Sequence, residues 1–232
     1  MQNKHTIITG GTGGLGSSVT RLALDRGARI TIPTHSLQTT KPTAHTVDHP
    51  QANQVNFIYS DLTDEQKVRE LFEPFERLDI LIHLAGGFSM GSTSEFSLKD
   101  WRQQVDLNLT TTFLVCKYAL KRMKEHGYGR IVTVSARAAN QPGARMAAYS
   151  ASKAGVLAFT RSIAEETRGT GITANTILPS VIDTPANRKA MGEKEAHTWV
   201  KPDSLAQVIC FLASEAAGDL RGAGIPVYGN VK

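Results

Sequence analysis

Short apolar runs rich in β-branched residues occur at positions 5–9, 29–33, 55–59, 79–83, 130–135, 172–178 and 225–228. Between them, apolar residues recur with helical period at 14–26, 64–74, 98–126, 146–169 and 203–214. Strand and helix signals alternating from end to end predict a parallel sheet covered by helices on both faces, an α/β doubly wound architecture of seven strands. No repeat or low-complexity linker divides the chain, so residues 1–232 read as one domain. Two segments break the alternation. Residues 34–54 are rich in Thr, His, Pro and Gln and show no helical pattern. Residues 185–202 follow the carboxyl end of the sixth predicted strand, where doubly wound folds bind ligands, and read as a lid over a substrate.

Composition narrows this picture only modestly. The 232 residues carry 26 Lys and Arg against 21 Asp and Glu, a formal charge of +5. The basic residues are scattered, and the group Lys117, Lys121, Arg122 and Lys124 reads as a solvated helix face rather than a nucleic-acid patch. Cys116 and Cys210 sit inside apolar helical patterns and read as buried free thiols. No apolar run approaches the ~18 residues of a membrane span, and no charged-then-apolar leader precedes the first strand. The expectation is a cytoplasmic protein with neither a membrane nor a nucleic-acid partner.

Chemistry enters at two places. Directly behind the first strand comes Thr9-Gly10-Gly11-Thr12-Gly13-Gly14-Leu15-Gly16. Glycines at 10, 14 and 16 permit a tight turn, close approach of backbone to a pyrophosphate and close helix–strand packing. The helix that follows aims its unpaired N–H groups and positive dipole end at the phosphates. Far downstream, Tyr149 and Lys153 stand four apart at the start of a helical pattern and so share one face. A phenol with an ordinary pKa near ~10 carries protons poorly at neutral pH, and a neighbouring ammonium brings it toward the working range.

With these motifs in this order, the chain resembles the short-chain dehydrogenase/reductase family over nearly its whole length. The likeness includes Asp61-Leu62, Leu84-Ala85-Gly86-Gly87, Asn108, Tyr149-x-x-x-Lys153, Asn175 and Pro179-Ser180-Val181-Ile182-Asp183-Thr184. It implies a Rossmann fold, a nicotinamide dinucleotide cofactor and hydride transfer to or from a small carbonyl or alcohol. It places Gly10, Thr12, Gly13, Gly14, Leu15 and Gly16 at the pyrophosphate and Asp61 and Leu62 at the adenine. Ala85, Gly86 and Gly87 lie beside the cofactor ribose. Pro179 opens the segment in which Ile182 and Thr184 hold the carboxamide. Tyr149 becomes the proton donor, Lys153 tunes it and bonds the nicotinamide ribose, and Asn108 anchors a water that links Lys153 to solvent. Asp61 has an alternative reading as a helix cap before residue 64. Thr34, His35 and Ser36 at the end of the second strand include no carboxylate to accept the ribose 2′-hydroxyl. That favours NADP(H), with NAD as the alternative.

One position departs from the family pattern. The substrate-orienting serine is expected thirteen residues before the tyrosine, where this chain has Ala136. Ser135 is adjacent, but neighbouring residues of a strand face opposite ways, so it serves only if a bulge shifts the register. A branch of the family, the dihydropteridine reductases, also has alanine there and reduces an electron-poor ring without a developing alkoxide. The segments 136–146 and 178–191, with Trp199, are similar to that branch, whereas Asn108 is like the general family. Three functions follow: a carbonyl or alcohol oxidoreductase, a pterin-reducing enzyme, and a cofactor-binding sensor or scaffold without turnover, a reading that Ala136 keeps open.

Among the other residues, Phe88, Met90, Met146, Met191 and Trp199 are candidates for an apolar pocket or for ordinary packing. His83 reads as a satisfied interior histidine, and Asp183 as a support for the turn before the lid. His35, His45 and His49 near Asp48 match no standard metal spacing, so no metal is expected. The resemblance implies a homotetramer, or a homodimer, built through the helices at 98–126 and 146–169.

Overall fold

The computed structural model describes residues 1–35 and 49–231. Seven parallel strands form one sheet: β1 (His5–Thr9), β2 (Arg29–Thr34), β3 (Asn56–Tyr59), β4 (Ile80–His83), β5 (Tyr128–Val134), β6 (Gly171–Pro179) and β7 (Gly224–Val227). Their order is β3-β2-β1-β4-β5-β6-β7. Helices are α1 (Gly16–Asp25), α2 (Glu65–Phe72), α3 (Leu98–Val105), α4 (Thr111–His126), α5 (Ala147–Glu166), α6 (Pro185–Met191) and α7 (Pro202–Leu212).

Both faces of the sheet are buried, which is why its strands read as apolar runs. Ile8, Ile32, Ile80, Ile82, Val132 and Ile177 pack against α1 and α7 on one side. Ile7, Leu81, Ile131, Ile172 and Ala174 pack against α2, α4 and α5 on the other. Ile7 and Ile8, like Leu81 and Ile82, split between the two cores because successive side chains leave a strand on opposite faces. Cys116 and Cys210 are free thiols in these cores, and burial pushes them up to about 12 and about 11.

Helix ends carry local signals. The Asp64 carboxylate accepts from the N–H groups of Gln66 and Lys67 at 2.8 and 3.2 Å and starts α2. Gly127 ends α4 in the left-handed region at φ 65°.

Two expectations need correction. The helix expected over 98–126 is interrupted by a π turn at Asp106–Thr110, between α3 and α4. Its wider hydrogen-bond spacing inserts a residue and re-phases the helix around Asn108, which averaged apolar periodicity does not register. The segment 185–202, which shows no regular pattern in the sequence, contains a helix. Thr184 caps α6 by accepting from Asn187 N–H at 3.2 Å, and Pro185 occupies the first turn, where its missing N–H costs nothing. A 3₁₀ turn follows at Ala196–Thr198, and an isolated parallel bridge joins Ile182 to Val200. Within 34–54, a 3₁₀ turn occupies Ala52–Gln54, while Ser36, His45 and Asp48 lie outside the described residues.

Candidate active site

The strand order reverses between β1 and β4, and the loops beyond their carboxyl ends form a crevice. Its floor is the turn 10–16. Gly10 adopts φ +67°, and its carbonyl accepts Gly13 N–H at 3.0 Å. A Cβ on Gly16 would collide with that same carbonyl, so only glycine lets α1 begin this close to β1. No side chain caps α1, so no side-chain acceptor competes for the N–H groups of its first turn. A Cβ on Gly14 would meet the Thr184 methyl at 2.7 Å, which places the 179–184 segment against the turn. Exposed donors, bare backbone and a helix dipole suit a pyrophosphate.

A buried polar chain ties this floor to the next loop. Thr9 Oγ1 accepts from the N–H groups of Leu84 and Ala85 at 3.1 and 3.2 Å. Its own hydrogen therefore goes to His83 Nδ1, 2.7 Å away. Burial, aided by the nearby Lys153 charge, pushes His83 down to about 3, so the ring is neutral with its proton on Nε2. That nitrogen faces Thr111 Oγ1 at 3.4 Å, and the Thr111 hydroxyl donates to the Leu107 carbonyl at 2.9 Å in the π turn. His83 is thus an interior histidine with both nitrogens engaged.

The π turn turns Asn108 inward. Asn108 Nδ2 donates to the carbonyls of Gly87 and Gln104, both at 3.0 Å, and Oδ1 accepts from Gly87 N–H at 3.2 Å. Gln104 Nε2 adds a bond to the Gly87 carbonyl at 2.7 Å. A Cβ on Gly86 would lie 2.7 Å from Asn108 Oδ1 and 3.3 Å from Lys153 Nζ, so Asn108 and Lys153 converge on this glycine. Lys153 is 6% exposed, and its Nζ donates to the Val134 carbonyl at 2.9 Å. Burial holds it down to about 8. Tyr149 lies one turn earlier on α5, its ring centroid 5.9 Å from Lys153 Nζ, and its phenol moves opposite to the lowering expected from a neighbouring ammonium: desolvation pushes it up to about 12. The Phe88 ring meets Tyr149 edge-on at 4.9 Å.

Ser135 and Ala136 divide as strand geometry requires. Ser135 N–H continues the ladder to the Ile177 carbonyl at 2.9 Å, so no bulge shifts the register. The Ser135 hydroxyl donates to the Lys153 carbonyl at 2.7 Å and is buried against α5. Ala136 stays extended at φ −160° and ψ 161°, with only a methyl group on the other side.

The remaining candidates separate. The Asp61 carboxylate accepts from Thr63 Oγ1 and N–H at 2.7 and 2.9 Å, and the hydroxyl, the N–H and His35 hold it below the usual carboxylate range. It closes a turn, while Asp64 caps α2. Thr34 ends β2, His35 follows it near the Asp61 carboxylate, and Leu62 is half-buried. Asp183 forms a bidentate pair with Arg188 at 2.6 and 2.9 Å, bracing α6. Trp199 is buried packing, while Phe88, Met90 and Met191 are exposed. His49 Nε2 pairs with Asp25 at 3.0 Å, and no cluster of metal-ligating groups occurs among the described residues. The sequence reading missed Thr9 and Gln104 as parts of the site. Gln104 and Asn108, four apart in a helical run, were the available signal for the second.

The profile of the family described as short chain dehydrogenase matches residues 4–195. D-threitol dehydrogenase of Mycolicibacterium smegmatis is 31% identical over 242 residues, covering 99% of this chain and 93% of its own. The 3-oxoacyl-[acyl-carrier-protein] reductase FabG of Rickettsia conorii is 29% identical, covering 100% and 98%. Among solved structures, ElxO with NADP bound superposes with a TM-score of 0.91 at 25% identity, covering 98% of each chain. An actinorhodin polyketide ketoreductase with NADPH gives 0.89 at 26% identity, covering 99% and 98%. A glycine turn fitted to a pyrophosphate, a tyrosine beside a buried lysine and these full-length likenesses lead to one conclusion: the chain belongs to the short-chain dehydrogenase family and is an NAD(P)-dependent oxidoreductase.

Proposed function

We propose that the chain reduces a small carbonyl compound to its alcohol, with NADPH as the preferred coenzyme and Tyr149 as the proton donor. The observation that carries this reading is the pairing of half-buried Tyr149 with buried Lys153, whose Nζ reaches the crevice at Gly86. The dihydronicotinamide supplies the hydride. Tyr149, protonated at neutral pH like any phenol and held so more firmly by desolvation, donates the hydroxyl proton to the substrate oxygen. Lys153 titrates at about 8 and restores that proton, while its charge stabilises the transient phenolate. Asn108 holds the 84–87 loop, and hence the ribose face of the site, at fixed distance from Lys153. Gly10, Thr12, Gly13, Gly14, Leu15 and Gly16 would bind the pyrophosphate, Asp61 and Leu62 the adenine, and Ala85, Gly86, Gly87, Pro179, Ile182 and Thr184 the nicotinamide riboside. Thr34 and His35 leave the 2′-position free of carboxylate repulsion. Related structures with NADP and NADPH support that preference.

Ala136 sets the substrate range. Without a hydroxyl there, a developing alkoxide is held by Tyr149 alone, which favours activated carbonyls or electron-poor rings. Ala136→Ser is expected to raise kcat on unactivated ketones about 10-fold or more, from the weight of one oxyanion donor. Ser135→Ala is expected to leave kcat unchanged and to cost about 1 kcal/mol of stability, since that hydroxyl serves only the Lys153 carbonyl. A large loss of kcat in Ser135→Ala would overturn the assignment.

The direct test is initial-rate oxidation of NADPH and NADH with a ketone and diketone panel and a quinonoid dihydropterin. Ketone turnover supports the proposal. Pterin turnover alone would give Ala136 the role it has in the pterin-reducing branch, and tight NADPH binding with no turnover would favour a sensor. The chain is proposed to act in the cytoplasm as a homotetramer, or a homodimer, and no described helix is long and apolar enough to cross a membrane. Phe113, exposed on α4, supports pairing there.

A further inference from the structure

A second depression, of about 250 Å³, opens between the segment after Phe88 and the start of α5. Its lining includes Phe96, Leu98, Trp101 and Ala148, together with Arg145. It touches neither the glycine turn nor Lys153, yet it adjoins the reacting end: Ala148 precedes Tyr149, and Ser89 follows the Phe88 that packs on Tyr149. Whole-ligand pockets begin at roughly 300 Å³, so this space suits one arm of a molecule whose other end lies at Tyr149.

Arg145 has two unusual features. It is a non-glycine residue in the left-handed region, at φ 64°, a conformation that Gly and Asn adopt far more readily. Gly91 N–H bonds the Arg145 carbonyl at 2.8 Å and fixes the turn in place. Most other arginines here lie in ion pairs or on carbonyls: Arg21 on Asp203, Arg168 on Glu165, Arg188 on Asp183 and Arg221 on the carbonyls of Ile172 and Thr170. Among the described residues, the guanidinium of Arg145, which is exposed, has no acceptor, as is also true of Arg29, Arg102 and Arg161; of these four only Arg145 lines the depression.

We propose that this depression anchors the arm of a carboxylate-bearing substrate, with the carboxylate on Arg145 and its apolar body between Phe96, Leu98 and Trp101. A cation with five N–H donors at the rim of an apolar slot is complementary to an oxo acid with a short aliphatic or aryl spacer. The inference rests on the carbonyl-reductase reading above and names its substrate class.

The test compares 4-(4-trifluoromethylphenyl)-4-oxobutanoate, whose electron-poor ring activates the carbonyl, with its methyl ester, which shares the carbonyl and differs in charge. Wild-type protein is expected to show a KM for the acid about 10-fold or more below that of the ester. Arg145→Asn removes the charge and suits the positive φ, so it separates anchoring from backbone strain. It should raise the KM of the acid roughly 10–100-fold, with kcat little changed and the ester unaffected, while Arg145→Lys restores part of the difference. A second readout avoids turnover: 4-phenylbutanoate should quench the fluorescence of Trp101, which is 41% exposed, and lose that effect in Arg145→Asn.

Equal KM values for acid and ester, or equal shifts of both in Arg145→Asn, would overturn the anchoring site while leaving carbonyl reduction intact. Arg145-dependent quenching without turnover of any carbonyl compound would overturn the reductase reading and leave the anion site standing. A change of sedimentation mass in Arg145→Asn, with no quenching by the acid in the wild type, would make this face a contact between copies and overturn the proposal.

Discussion

Tyr149→Phe is expected to lower turnover by about 10²–10⁴-fold, the weight of a positioned general acid, while NADPH still binds with its normal affinity. The substitution removes one oxygen and keeps the ring. The edge-on contact with Phe88 at 4.9 Å is a ring contact, so packing at the head of α5 survives. Stability should therefore stay within about 0.5 kcal/mol of wild type. Neither Ser135 nor Ala136 can take over. Ser135 is committed to the Lys153 carbonyl, and residue 136 has no hydroxyl. Titrating the variant with NADPH and measuring single-turnover reduction would separate binding from chemistry. Turnover retained within about tenfold would remove Tyr149 from its assigned role.

Lys153→Met is expected to abolish turnover to a similar extent and, unusually for an active-site variant, to make the protein more stable at neutral pH. The ammonium is buried with a carbonyl as its hydrogen-bond partner, and burial lowers its pKa from 10.5 to about 8. The sign follows from proton counting. Below about pH 8 both folded and unfolded chains hold the proton, and the folded state carries the full cost of burying the charge. Between about 8 and 10.5 the unfolded chain binds more protons than the folded one, so wild-type stability contributed by this group rises with pH. Above 10.5 the cost is gone. The shift corresponds to a cost on the order of 3 kcal/mol, and loss of the bond to Val134 returns about 1 kcal/mol of it. The variant should thus gain about 1–2 kcal/mol at pH 7, a rise of several degrees in Tm, and that gain should vanish as pH climbs toward 10.5. Urea unfolding of both proteins across pH 6–10 checks it; a pH-independent gap would show that the ammonium is not buried as described. Function here holds a charge where stability alone would place a methylene chain.

How far the sequence reached differs from one part of the site to another. Tyr149 and Lys153 are four apart in one helix, so their common face was fixed by helical period alone. Ser135 and Ala136 were legible for the parallel reason, since alternation on a strand sends adjacent residues opposite ways, and the Ser135 bond into α5 follows it. Asp61 was harder. A carboxylate three residues before a helix-capping aspartate can cap, close a turn or meet a ligand, and the Thr63 hydroxyl selects the turn. In α6, Thr184-Pro185 and Gly192 carried start and stop signals, but a seven-residue helix is too short for periodicity to reveal.

The sequence by itself determined the strand–helix alternation, the glycine turn and the spacing of the acid/base pair. Each is a local property, set by φ/ψ freedom, side-chain period or apolar runs within a few residues. Tertiary structure alone decided the rest: the π turn that swings Asn108 onto Gly87, the neutral tautomer of His83, and the burial that moves Tyr149 up and Lys153 down. These depend on groups tens of residues apart meeting in a medium of low dielectric, where hydrogen bonds and desolvation are set by the neighbours that packing supplies and not by neighbours in the chain.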